Sequence, residues 1–212
     1  AFPRMKCNLT DAGTGVMLIM RGPGGFAGGS VCDALVSQTD IFPTLCEFLG
    51  IPIPEWVEGT SMMPLVRGEA EEIRDEVFAE VNYHAAYEPM RMVRTRQWKY
   101  IRRFDVRSSP VLPNCDDSLS KGLLVVHGWQ ERAPETEVLH DVLFDPHETL
   151  NLAKHPQYGS VLGDMRQRLY DWMLQTCDPL LKGKVPAPPG SVVNDPDGMS
   201  PREPTISAEI LE

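Results

Sequence analysis

Histidines and cysteines are the residues with which this chain could bind a metal or attack a substrate. No two histidines lie four residues apart with a glutamate between them, which excludes the helical zinc-protease arrangement. No two cysteines form a C-x-x-C pair, which excludes a zinc ribbon. We interpret the cysteines as core or surface thiols rather than a disulfide framework, and they leave the compartment undecided. The residues are His84, His127, His140, His147 and His155, with Cys7, Cys32, Cys46, Cys115 and Cys177.

Three further patterns could carry chemistry, and none does so on spacing alone. The glycine-rich residues 22–27 fit the loose dinucleotide fingerprint, but no helix opens there and Pro23 lies inside the turn, so a plain loop is favoured. The chain has no G-x-S-x-G, so an elbow-type serine hydrolase is not supported. Asp145 and Glu148 are interpreted as caps of the turn that follows them rather than as metal ligands. Spacing alone predicts an α/β piece followed by a small antiparallel piece.

The charge and hydropathy of the chain limit its partners. Its 212 residues include 30 acidic and 20 basic side chains, for a formal charge of −10. Such a surface repels phosphate backbones, so we expect no nucleic-acid partner. The longest apolar run, residues 16–20, is far shorter than the roughly 20 residues that span a bilayer, so we expect no membrane span.

The N-terminal half shows an α/β pattern. Residues 16–20 predict a fully buried strand of a parallel sheet. Ser37 or Thr39 is predicted to cap a helix that ends at Gly50. Residues 77–81 predict a second buried strand. The apolar face of the helix would be formed by Phe42, Leu45, Cys46, Phe48 and Leu49.

The C-terminal half shows an antiparallel pattern followed by one helix. Residues 90–103 predict a hairpin with its turn near Gln97 and one face in solvent. Residues 138–144 predict another strand, and residues 158–176 an amphipathic helix. The proline-rich residues 183–212 lose all periodicity and predict a tail that is either wrapped on the surface or disordered.

Several segments, in order along the chain, resemble blocks of the type I sulfatases of the alkaline-phosphatase superfamily. The most specific block is residues 143–153, which resembles the pattern l-y-D-l-x-x-D-P-x-E-x-x-N-L-a. Phe2-Pro3 followed by Lys6 and Asn8-Leu9 is most similar to the sulfamidase, or heparan N-sulfatase, branch. The other blocks are residues 13–23 (P-L-I-V-R-x-P), 36–45 (vs-x-x-D-l-x-P-T-l), 50–54 with 59–65 (a-G-i-x-x-P and G-x-S-l-x-P-l) and 90–100 (m-R-x-v-R-t-x-x-y-K-Y).

This resemblance covers roughly residues 1–178 and implies the C-terminal half of such an enzyme, with an α/β fold. Residues 1–88 would be the C-terminal portion of the catalytic α/β domain, within its large mixed sheet. Residues 89–178 would form a small C-terminal α+β subdomain with an antiparallel sheet and one long helix. Residues 179–212 would be a proline-rich tail.

The resemblance also implies which chemistry this chain does not carry. Sulfatases hold a divalent cation, usually calcium, with an Asp-Asp pair and an Asp-Asn or Asp-His pair. Their nucleophile is a formylglycine made within a C/S-x-P-S-R motif, and no cysteine of this chain is followed by Pro-Ser-Arg. The second metal pair would fall just before Ala1. We therefore expect the calcium ligands upstream of Ala1, no metal ligand in this chain, and a chain that is catalytically incomplete by itself.

Two residues receive a role from the resemblance. Lys6 falls at the position where the family places a lysine or arginine against the sulfate oxygens, and a compact ammonium suits an oxygen on which negative charge builds. His84 falls near a substrate-pocket histidine of the sulfamidase-like enzymes. Alternatively, Lys6 is a solvated loop lysine and His84 an ordinary polar loop residue.

The implied function is hydrolysis of a sulfate ester or sulfamate, in a sulfated small molecule or in a glycan of glycosaminoglycan type. Two alternatives are a non-catalytic substrate-binding module and a phosphonate or phosphodiester hydrolase of the same superfamily. An open strand at residues 16–20 would also favour association with other chains, and a homo-oligomer is one form of it.

Overall fold

The computed structural model describes residue 3 and residues 5–26 and 28–211. Phe2, part of the sulfamidase-like pattern, and Ala27, at the end of the glycine-rich stretch, lie outside the described residues. The α-helices are α1 (Asp11–Thr14), α2 (Ile41–Leu49), α3 (Met63–Val66), α4 (Leu119–Val126) and α5 (Gly159–Gln175). The strands are β1 (Glu76–Tyr83), β2 (Tyr87–Thr95), β3 (Trp98–Arg103), β4 (Glu137–Asp141), β5 (Val192–Asn194) and β6 (Thr205–Ser207). Short 3-10 helices span Gln38–Asp40, Leu112–Asn114, Pro156–Tyr158, Pro179–Leu181 and Ala208–Leu211.

The chain divides into two compact units. The first combines Ala1–Val16, Phe78–Val93 and Trp98–Glu212, and the second combines Met17–Val77 with Arg94–Gln97.

A four-stranded sheet in the order β1-β2-β3-β4 forms the centre of the first unit. The predicted hairpin is confirmed as β2 and β3, with Arg96 and Gln97 at the turn. The strand predicted at residues 77–81 is present as β1, but it lies at the edge of the sheet and none of its residues is buried, so the prediction of a buried strand is wrong in that respect. Strand β4 pairs antiparallel with β3 and places Leu139 opposite Tyr100. It ends at Asp141, three residues earlier than predicted, where the chain turns and Asp145 N donates to Asp141 O over 2.7 Å.

The long helix α5 covers this sheet, and its prediction is confirmed. Its stripe of buried side chains packs on apolar residues of β2, β3 and β4, and Trp172 stacks on Phe78 with the ring centroids 4.9 Å apart. Spacing of three and four residues places the stripe on one face of the helix. The stripe consists of Leu162, Met165, Leu169 and Met173. A mixed α/β chain with an antiparallel sheet and one long helix is therefore the observed fold class.

The prediction of a solvent-facing side for the β2–β3 hairpin is wrong. Arg91 and Lys99, which would lie on that side, are fully buried. Arg91 forms a two-point ion pair with Asp178, Nε to Oδ2 at 2.6 Å and Nη2 to Oδ1 at 3.0 Å. Its Nη1 donates to Asn82 Oδ1 and to the carbonyl of Met90, each over 2.9 Å. Buried charges are tolerated when they are paired and hydrogen-bonded, and Arg91 meets both conditions.

Lys99 is buried by a second set of charges. It forms ion pairs with Asp11 and with Glu148 Oε1, the latter at 2.9 Å, and Asp11 N donates to Glu148 Oε2 over 2.6 Å. The prediction that Asp145 caps the turn after it is confirmed, since its Oδ2 accepts from Leu150 N over 2.8 Å. The same prediction for Glu148 is wrong, because its carboxylate pairs with the buried ammonium of Lys99.

The second unit contains the predicted helix α2. Ser37 caps the preceding 3-10 turn through a capping box with Asp40, and Gly50 ends α2 at φ 67°. Asp40 is fully buried, and its Oδ1 accepts from Thr60 N over 2.8 Å and pairs with Arg74. One carboxylate therefore ties the start of the helix to the loop that follows it.

Two predictions for residues 16–49 are wrong. Residues 16–20 form no strand, and most of their side chains are exposed. A strand requires a hydrogen-bonded neighbour, and no ladder among the described residues includes this run. The apolar face predicted for α2 is also largely exposed at Phe42, Leu45 and Leu49, while the buried positions of the helix are Pro43, Thr44 and Cys46.

Sequence reasoning left two elements of the first unit out. Helix α4 has Ser118 as its cap, and the Ser118 side chain accepts a hydrogen bond from Lys121 N. In the tail, β5 and β6 form a small antiparallel hairpin. Of the two states predicted for the tail, the structure thus has the ordered one. None of the helices in the described part of the chain combines the length and apolar character needed to cross a bilayer.

Removing the charge of Arg91 should strongly destabilise the chain. Arg91→Met leaves the buried Asp178 carboxylate unpaired, which should lower the free energy of unfolding by about 3–5 kcal/mol. Arg67→Met, which removes an exposed pair with Glu47, should cost about 1 kcal/mol or less. Urea unfolding of each variant gives the comparison. The double variant Arg91→Met/Asp178→Leu should recover part of the loss, and equal costs for Arg91→Met and Arg67→Met would contradict the assignment.

Gly59 should not tolerate a side chain. A Cβ at this position would lie 2.0 Å from the carbonyl oxygen of Thr39. Gly59→Ala should therefore lower the free energy of unfolding by roughly 1–3 kcal/mol, as other overpacked sites do. The matched change is Gly163→Ala in α5, where nothing lies within 4 Å, and which should raise stability by about 1 kcal/mol or less. Thermal melts of both variants test the opposite signs.

Candidate functional site

Lys6 lies in a turn of the N-terminal segment and presents a partly exposed ammonium group. Its Nζ lies 3.3 Å from both carboxylate oxygens of Asp116, and the two side chains are 55% and 47% exposed. A pair this open to solvent is weak, because water and salt screen it. An anion can therefore reach the lysine.

His84 lies in the tight turn that joins β1 to β2, where its backbone N–H donates to the carbonyl of Ala86 over 3.2 Å. Partial burial lowers the pKa of His84 below its ordinary value of 6.5, the nearby Lys6 charge lowers it further, and Asp116 opposes both. The charges of Lys6 and Asp116 therefore act on His84. Its imidazole is mainly neutral at neutral pH and can both donate and accept a hydrogen bond.

A buried asparagine holds the His84 turn in place. Asn114 Oδ1 accepts from Ala85 N over 3.0 Å and from Ala86 N over 2.8 Å. Its Nδ2 donates to Glu88 Oε2 over 2.9 Å, and Glu88 forms an ion pair with Arg103. The turn is thus fixed by a network that leads back into the sheet.

Cys7 is the neighbour of Lys6 in sequence. Burial raises its pKa to about 11, the Glu88 charge contributes in the same direction, and Lys6 opposes them. A thiol with such a pKa is protonated at neutral pH and is a poor nucleophile. Cys7 has a φ of 58°, so it serves the turn rather than a covalent step.

Asp116 and Asn114 are the site residues that sequence reasoning missed. Both lie between the predicted hairpin at residues 90–103 and the strand predicted at residues 138–144, and Asp116 lies 110 positions from Lys6 along the chain. The spacing of residues along the chain cannot predict a contact between positions so far apart. Only the fold brings the loop beside the N-terminal turn.

The described residues do not fit a resident metal ion. Within residues 3, 5–26 and 28–211, no three histidine, cysteine, aspartate or glutamate side chains converge on a position that could hold one.

Several known proteins are similar to this chain in sequence. The family described as N-sulphoglucosamine sulphohydrolase, C-terminal, matches residues 6–111, which is half of the chain. An ulvan-active sulfatase of Formosa agariphila is 29% identical over 86% of this chain and 38% of its own length. The human N-sulphoglucosamine sulphohydrolase is 28% identical over 84% of this chain and 40% of its own length.

Solved structures give the same result. The structure of a 2-O GAG sulfatase matches with a TM-score of 0.50 and 29% identity, over 71% of this chain and 27% of that one. The chain spans less than half the length of the relatives it matches. Together with the family match over residues 6–111, these likenesses show that the chain belongs to the N-sulphoglucosamine sulphohydrolase C-terminal family of the sulfatases.

Proposed function

We propose that this chain is the substrate-contacting C-terminal portion of a hydrolase that cleaves sulfate esters or sulfamates. The observation that carries the proposal is the half-exposed Lys6 ammonium, which lies within the family match and shares its electrostatic neighbourhood with His84. Relatives that act on N-sulphoglucosamine and on GAG chains, by their names, support a sulfated sugar of glycosaminoglycan type as the substrate.

Lys6 would contact the sulfate oxygens. As an S–O or S–N bond breaks, negative charge grows on atoms beside the sulfur, and a positioned ammonium stabilises that charge. Asp116 holds Lys6 in the free chain, but a pair between two half-exposed side chains contributes about 1 kcal/mol or less. An arriving sulfate would therefore replace the Asp116 carboxylate at little cost.

His84 would contact the sugar rather than the sulfate. A neutral imidazole carries one N–H donor and one acceptor nitrogen, which matches a sugar hydroxyl or amine better than a sulfate anion. The lowered pKa of His84 keeps the ring in this form near neutral pH. Lys6 would then bind the sulfate group of the substrate, and His84 would bind its sugar.

The nucleophile and the calcium ligands would belong to sequence upstream of Ala1, so the chain alone would be inactive. Three observations support this: the absence of a C/S-x-P-S-R motif from the sequence, the absence of a metal-binding group among the described residues, and the share of the relatives that is covered. Large exposed apolar side chains also favour contact with further polypeptide. In the second unit they include Met17, Ile19, Leu49 and Trp56.

A non-catalytic substrate-binding module is the second candidate. It is supported by the same exposed Lys6 ammonium. The two candidates share the Lys6 contact and differ in whether a catalytic portion accompanies it.

The purified chain should bind a sulfated sugar without hydrolysing it. With calcium present, release of a chromogenic phenol from an aryl sulfate should not exceed that of a heat-killed sample. In an NMR titration, N-sulphoglucosamine should shift signals of residues 5–7 and 84–86, while unsulfated glucosamine should not. Turnover above the heat-killed level would show that the chain is complete, and an absence of any sulfate-dependent shift would remove the binding function from both candidates.

In the longer enzyme, loss of Lys6 should affect turnover far more than folding. Lys6→Ala should lower kcat by about 100- to 1000-fold, the usual cost of removing one positioned donor to a developing oxyanion. Lys6→Arg should recover part of the rate, because arginine keeps the charge but places it differently. Lys154→Ala removes a comparable exposed pair, with Glu135, and should leave kcat unchanged. Steady-state kinetics with melting temperatures decide, and an unchanged kcat in Lys6→Ala would make Lys6 a solvated loop lysine.

A further inference from the structure

Residues 185–207, here called the tail clamp, are hydrogen-bonded to the segment that carries His84. Asn194 N donates to the carbonyl of Ala85, the residue next to His84, over 2.7 Å. Tyr83, on the other side of His84, donates its hydroxyl to the carbonyl of Val185 over 2.9 Å. The turn between β1 and β2 is therefore held on both sides of the histidine.

The tail clamp is also bonded to the segment that carries Asp116. Ser200 Oγ donates to Asp117 Oδ2 over 2.6 Å, directly beside Asp116. Arg107, at the start of the same segment, donates to the carbonyl of Pro196 over 3.1 Å and pairs with Asp197. One continuous stretch thus joins the His84 turn to the loop that contacts Lys6.

The backbone N–H of Asn194 can bond to Ala85 because it takes no part in the hydrogen bonds between β5 and β6. Hydrogen-bonded and non-hydrogen-bonded pairs alternate along an antiparallel ladder. Ala208 N donates to Ser191 O, so the pair of Asn194 with Thr205, three positions along, is non-hydrogen-bonded. The Asn194 N–H therefore points away from β6 and toward Ala85. Asn194 is 5% exposed, so solvent competes little with this bond.

We propose that the tail clamp is a positioning segment of the sulfate site, which fixes His84 relative to the Lys6–Asp116 pair. This inference rests on the proposed function, since it assigns the segment a task in the same site. The family match ends at residue 111, so the tail clamp lies outside the matched region. The positions of Lys6 and His84, which lie in the matched region, would thus depend on a segment beyond it.

The experiment compares Asn194→Pro with Asn194→Ala in the full chain. Both variants lose the side-chain bond from Asn194 Nδ2 to Glu203 O, but only proline also removes the N–H that reaches Ala85. Residue 193 lies in a strand, which suits the residue before a proline. His84 ring signals, hydrogen exchange at the Ala85 and Ala86 amides, and the Kd for N-sulphoglucosamine are measured by NMR, with melting temperatures as the folding control.

Asn194→Pro should loosen the His84 turn relative to Asn194→Ala. Exchange at the two amides should become roughly tenfold faster, as local opening becomes easier. The pKa of His84 should rise toward 6.5, because burial is the largest cause that holds it down. The Kd for the sulfated sugar should rise several-fold. Equal His84 titration and equal exchange in the two variants would overturn the inference.

A second pair of variants covers the case in which proline unfolds the tail hairpin. Tyr83→Phe/Tyr87→Phe removes both hydroxyl contacts with Val185 while keeping the rings, and Tyr170→Phe is its exposed control. The same changes at His84 are expected in the double variant, and their absence overturns the inference. If Lys6→Met leaves the Kd unchanged, the proposed function fails, yet the His84 signals still decide whether the tail clamp positions that turn.

Discussion

The buried ion pair between Arg91 and Asp178 is the interaction on which most of the first unit depends. Arg91 lies in β2, inside the sheet, and Asp178 follows the end of α5. The pair therefore fixes the C-terminal end of α5 against the sheet that this helix covers. Asp178 Oδ1 also accepts from Leu180 N over 2.9 Å, which sets the direction in which the chain leaves α5. The tail clamp begins at residue 185, five residues after Leu180, so its course starts from this pair.

The two sides of the candidate site are each held by buried charge. On one side, Arg91 donates to Asn82 Oδ1, two residues before His84. On the other, Lys99 pairs with Asp11, five residues after Lys6. Between them Leu9 packs into an apolar cluster with side chains of β2 and β3. Since an unpaired buried charge costs several kcal/mol, these pairs resist opening, and the turns that they hold can present mobile, exposed side chains on a rigid base.

Local pattern predicted the elements whose stabilising contacts are close in sequence. Helix α5 was visible because its buried stripe repeats every three or four residues, and the end of α2 was visible because Gly50 permits a positive φ. The polar face of the β2–β3 hairpin was misjudged because Arg91 and Lys99 read as solvent-facing. Their partners lie 87 positions away at Asp178 and 88 positions away at Asp11. Periodicity reports side-chain polarity, and it cannot report whether a charge finds a distant partner.

The residues that make the sulfatase resemblance visible and the residues of the candidate site are largely different sets. In the most specific block, Asp145 accepts from Thr149 and Leu150, and Asn151 accepts from Leu139 N, so the block fastens a loop to β4. Asp40 in an earlier block does the same for the start of α2. The loss of one partner of such a bond lowers the stability of the fold, whereas an exposed turn residue such as His84 can change with little effect on folding. A scaffold of this kind can therefore keep its fold while the side chains on its exposed turns change.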